Sequence, residues 1–75
     1  MSEDEAAYLR EFGARILIGR RRKGWNQSQL AQRAGVTNVQ ISRIERGQVK
    51  TSIIRIRLIK AALDMEWKEL FPDPL

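Results

Sequence analysis

A chain of 75 residues holds one domain with a small core, and a core of that size is marginal without a metal, disulfides or a partner subunit. There is no Cys and no His, which excludes disulfides and thiolate or imidazole metal sites and removes the usual catalytic bases and nucleophiles; association with a second subunit is the expected source of extra stability. The net charge of +5 is unevenly laid out: from Arg15 to Lys60 there are twelve Lys and Arg against one acid, Glu45, a balance of +11, while the remaining acids sit towards the two ends.

Helical periodicity accounts for the chain, with no alternation that would mark a strand and no repeat. Leu9, Phe12, Ile16 and Gly19 recur at helical spacing and predict a first helix over 6–23, stopped at Gly24. A glycine at position 19 weakens that helix and implies that something packs closely there. Asn26 opens a polar start into Leu30, Ala31 and Ala34, a second helix of about eight residues that ends at Gly35. Thr37 caps a third helix over 38–46, with Gln40 where a capping box prefers it and Gly47 as the stop. Ile41 and Ile44 face inward, and Asn38, Val39, Ser42, Arg43 and Arg46 face elsewhere. Ser52 caps a fourth helix over 53–63, broken by Asp64; a short turn over 66–71 sets Trp67 and Leu70 against the core, and 71–75 form a non-helical tail.

A one-signed field as large as that of the middle segment is what phosphate neutralisation requires, and it points to nucleic acid. A membrane surface would want the basic residues opposite one continuous apolar face, whereas here they are spread over several short helices. No apolar run reaches the roughly 18 residues of a membrane span. The acidic start, Glu3, Asp4 and Glu5, is unlike a secretory signal, so a cytoplasmic location is expected. No acid pair sits in the middle of the chain, and neither enzymatic activity nor a cofactor is expected.

Two short helices joined by a tight turn at Gly35, Val36 and Thr37 have the proportions of a helix-turn-helix. The run Gln27, Ser28, Gln29, Leu30, Ala31, Gln32, Arg33, Ala34, Gly35, Val36, Thr37, followed by Ile41, Ser42, Arg43, Ile44, Glu45, Arg46 and Gly47, resembles the helix-turn-helix family of the lambda-type phage repressors and Cro proteins, the Xre-like family. The resemblance runs over about 12–71; residues 1–11 form an extension without counterpart, residues 72–75 a tail, and 1–75 reads as a single DNA-binding domain. It implies an all-α, compact five-helix bundle whose third helix reads bases. Gln27 matches the family's glutamine that grips a phosphate and often braces that helix. Asn38, Val39 and Arg43 match the positions that touch base edges, and Thr37 and Ser42 complete the expected base-reading set. Arg46, Gln48 and Lys50 match positions that meet the backbone. Asn suits the edge of adenine, Arg that of guanine and Val a thymine methyl; a solvated helix face is the competing reading, most of all for Gln40 and Ser42.

Glu45, the single acid of the basic stretch, would be repelled on a DNA-facing surface. It is expected inward, paired with Arg20, which matches the family's helix-one arginine. A cytosine contact, or a surface pair with Arg43 or Arg46, is the alternative. The sequence departs from the family at Thr51, Lys60, Gly19, Leu17 and Ile18. On the fourth helix Ile56, Ile59 and Leu63 share one side while Ile54, Leu58 and Ala61 fall nearly opposite, so the helix is apolar on two sides. The second stripe, together with the C-terminal tail, is expected to form a homodimer interface, extended by Leu17 and Ile18; helix one, or the tail folding back through Phe71, Pro72 and Leu75, is the competing cover. The function expected is a transcriptional regulator binding double-stranded DNA as a dimer on an inverted repeat, such as a phage-type repressor or a restriction-modification controller. The alternative is an antitoxin that binds a toxin and controls its own operon.

Overall fold

The computed structural model describes residues 2–72, and these form five helices: α1 (Glu3–Arg22), α2 (Gln27–Ala34), α3 (Asn38–Glu45), α4 (Ile53–Leu63) and α5 (Trp67–Leu70). Helix α1 begins three residues before the expected start at Ala6. The Glu5 amide donates to the Ser2 hydroxyl at 3.1 Å and the Ser2 amide donates back to Glu5 Oε1 at 3.3 Å, so a capping box starts the helix where no core residue lies. Acids fill the first turn and Arg20, Arg21 and Arg22 the last, both signs complementing the helix dipole.

The next three helices start as their caps predict. Asn26 and Gln29 close a capping box on α2, Thr37 and Gln40 do the same on α3, and the Ser52 hydroxyl accepts from Arg55 on α4. Gly35 ends α2 in the left-handed region at φ 71°, which a side chain rarely adopts. Asp64 ends α4 in the same region at φ 54°, its carboxylate held at 2.6 Å by Lys23.

Phe12 and Ile16 of α1, Leu30 of α2, Ile41 and Ile44 of α3, Ile59 and Leu63 of α4 and Leu70 of α5 make the core. The close packing expected at Gly19 is there: a Cβ at that position would lie 2.6 Å from the Met65 sulfur. Gly13 permits a closer approach still: a Cβ there would run into the Ile44 carbonyl oxygen and lie 2.6 Å from that of Glu45, both of them backbone atoms. Trp67 departs from expectation. It is exposed rather than set in the core, stacking on Phe71 at 5.5 Å with Lys60 5.0 Å from its ring, because the single turn of α5 can turn only Leu70 inward.

Helix α4 buries Ile59 and Leu63 and half-buries Ile56, and it leaves Ile54, Leu58 and Ala61 exposed, Ile54 at 65%. Phe71 does not cover that stripe. It stacks on Phe12, and the buried Pro72 accepts a hydrogen bond from the Tyr8 hydroxyl; Leu75 lies outside the described residues. Nor do Leu17 and Ile18 extend it: Leu17 is half-buried, and Ile18 lines a groove with Arg15, Arg22, Met65 and Glu69, whereas Ile54 and Leu58 border the turn at Gly35, Val36 and Thr37. No helix among the described residues is long and apolar enough to cross a membrane.

Candidate nucleic-acid interface

The eight residues of α3 divide cleanly. Ile41 and Ile44 are buried, and Asn38, Val39, Arg43 and the capping Arg46 are exposed, so the helix offers the polar and cationic face expected of it. Thr37 is exposed at the N-terminus and Ser42 is half-buried. Gln40 is taken up by the cap, its Oε1 accepting from the Thr37 amide at 2.9 Å, which ties it to the start of α3.

Glu45 points away from that face. Its side chain is 2% exposed, and Arg20 grips it with two parallel hydrogen bonds, Nε to Oε2 at 2.6 Å and Nη2 to Oε1 at 3.0 Å. A bidentate guanidinium is the geometry that best repays the desolvation of a buried carboxylate. The hydrogen bonds that Arg20 donates to Glu45 also hold Arg20 above the ordinary arginine pKa. The third arm of Arg20, Nη1, donates to the Trp25 carbonyl at 2.9 Å, and Gln27 Nε2 donates to Glu45 Oε1 at 3.0 Å. This node joins α1, the turn before α2, the first residue of α2 and the last of α3. Gln27 thus spends one amide hydrogen on bracing α3 and keeps a second.

Trp25 adds to the same turn by lying under two cations, with the Arg33 guanidinium 4.6 Å and the Lys23 ammonium 5.9 Å from its ring. Arg46, Gln48 and Lys50 are exposed along α3's end and the loop beyond, which Gly47 turns at φ 70°. Lys50 is not free: its Nζ lies 2.7 Å from Glu5 Oε2. A cleft beside the exposed face of α3, lined by Gln40, Arg43, Ile44, Val49, Lys50 and Arg55, brings in a further cation that sequence reasoning missed. Arg55 donates to the Thr51 hydroxyl at 3.2 Å, a contact from the first turn of α4 that a capped Ser52 start made foreseeable.

A helix-turn-helix family profile matches residues 16–70. The HTH-type transcriptional regulator SlrR of Bacillus subtilis is 38% identical over 61 residues, which make up 80% of this chain and 40% of that protein, so the chain spans less than half the length of this relative. The crystal structure of the restriction-modification controller protein C.AhdI from Aeromonas hydrophila matches with a TM-score of 0.82 at 38% identity, over 87% of this chain and 98% of that one. With its two short capped helices and with the profile running from the last turns of α1 to the end of α5, this chain belongs to the helix-turn-helix family of the lambda-type repressors and Cro proteins, a family of DNA-binding transcriptional regulators.

Proposed function

We propose that the protein is a cytoplasmic, sequence-specific transcriptional regulator that binds an inverted-repeat DNA site as a homodimer, with no enzymatic activity, and that 1–75 acts as one DNA-binding domain. The observation that carries the reading is the Arg20, Glu45 and Gln27 node, which fixes α3 with Asn38, Val39 and Arg43 outward. In this reading Asn38 takes an adenine edge, Arg43 a guanine edge and Val39 a thymine methyl, with Thr37 and Ser42 at the margin. The remaining amide hydrogen of Gln27, together with Arg46, Gln48 and Lys50, meets backbone phosphates that give no sequence information but set the register.

One recognition helix of eight residues reads too few base pairs to pick out a site. A two-fold pair reads two half-sites about one helical turn apart, and the exposed stripe of Ile54, Leu58 and Ala61 is the surface for it. The likeness to a restriction-modification controller over nearly that protein's whole length favours a regulator of that kind over an antitoxin. Selection of bound sequences from a random DNA pool is the test. An inverted repeat with a fixed spacer is the expected result; a single unpaired half-site removes the dimer, and no enrichment at all removes the function.

A further inference from the structure

The stretch of α1 that precedes Phe12 is laid along the loop that follows α3. Gly47 packs so close to it that a Cβ there would lie 2.6 Å from both the Arg10 α-carbon and its nitrogen, and this contact fixes the position of α1 along the loop. Nearer the N-terminus, Glu5 meets Lys50 with Oε2 2.7 Å from Nζ. The other oxygen of the same carboxylate, Oε1, accepts the Ser2 amide, so the capping box aims the free oxygen at the lysine. The hydrogen bond from Lys50 is also the main reason that the Glu5 carboxyl lies below the ordinary carboxylate pKa and stays charged. Among the described residues neither Arg10, against which Gly47 packs, nor Arg46, the residue before Gly47, makes an ion pair.

We infer that Glu5 is an internal stand-in for a DNA phosphate: its carboxylate occupies the Lys50 ammonium, a backbone phosphate must displace it, and the acidic first turn of α1 thereby sets the affinity for DNA of any sequence. The inference rests on the DNA-binding reading and on Lys50 as a phosphate contact. A carboxylate and a phosphate cannot both crowd one ammonium without repelling each other, and Glu3 and Asp4 in the same helical turn add to the repulsion. The pair is exposed, 66% at Lys50 and 37% at Glu5, so it damps binding rather than blocking it. Because phosphate contacts are blind to sequence, random and selected sites feel the effect alike.

The test is Glu5→Gln, Lys50→Gln and the double variant, titrated by fluorescence anisotropy against a labelled random-sequence duplex and the selected site over a range of salt. Glutamine at this position still completes the capping box, so the helix is kept, and a thermal melt close to the parent's checks it. The expected result is that Glu5→Gln binds about two- to fivefold more tightly at low salt, the size of an exposed ion pair, with the gain fading as salt rises. In the Lys50→Gln background the gain disappears. A Glu5→Gln variant that binds no tighter than the parent overturns the inference, as does an equal gain in both backgrounds, which would be general repulsion by the acid. A parent that binds neither duplex overturns the DNA-binding reading itself, a different failure from a parent that binds and a variant that does not gain.

Discussion

Three N–H groups from two other parts of the chain converge on the two oxygens of Glu45, and removing its charge leaves the Arg20 guanidinium facing a neutral amide. Glu45→Gln is therefore expected to cost about 3 kcal/mol, a large share of what a small domain has to spare. Its melting temperature falls while the selected site stays the same; a variant that melts like the parent and prefers another base would place Glu45 at the DNA. Arg43 supplies the converse. Exposed and outside every buried contact, Arg43→Ala leaves the melt alone, weakens the selected site by about 1 to 3 kcal/mol and relaxes preference at one base pair. Equal losses on selected and random DNA would reassign it to the backbone. The inward turn of Glu45 was legible because one acid in a basic stretch has to be hidden or paired. The part played by the Trp25 carbonyl was not: Gly24 marks the turn, but that the next carbonyl meets Arg20 depends on the path the chain takes after it.

Caps were the most readable elements. Asn26, Thr37 and Ser52 each stand immediately before a helix, and the structure starts all three helices there. Ser2 and Glu5 carry the same spacing and start α1, yet periodicity alone begins that helix later, because its first turn buries nothing. Trp67 misled for a related reason: a bulky aromatic beside Leu70 reads as core, but a four-residue helix has only one inward position. The contact between α1 and α3 turns on a residue that hydrophobic patterns ignore. Alanine at position 13 gains about 1 kcal/mol of helix propensity, but its methyl would press on the carbonyls of Ile44 and Glu45, where the neighbour is backbone and cannot swing aside. Gly13→Ala is expected to melt several degrees below the parent despite the better helix former. An unchanged or raised melting temperature would show that α1 and α3 can part without cost.

Across the whole molecule the imbalance lies on α4, which is apolar on two sides and has only one of them against the core. Leu58 is 45% exposed, so Leu58→Glu is expected to leave the fold of one protomer intact and, in the proposed dimer, to set a carboxylate near its copy across the two-fold axis. The expected outcome is a parent that sediments as a dimer at micromolar concentration and a variant that sediments as a monomer and binds an inverted repeat much more weakly. A parent monomeric both free and on DNA refutes the dimer; a variant that still dimerises moves the interface elsewhere. The second stripe was visible on a helical wheel, whereas its separation from Ile18 was not, since that depends on how α1 crosses the bundle. The node around Glu45 has a consequence at this scale. It ties α3 to α1 and α2, so in the proposed dimer the gap and angle between the two α3 helices would follow from how one α4 meets the other rather than from movement of α3 against α1 and α2. Under the proposed function the word that each half reads and the length of the spacer between the words would then be two independent settings, one written on Asn38, Val39 and Arg43, the other on Ile54, Leu58 and Ala61, and each could drift in evolution without disturbing its counterpart.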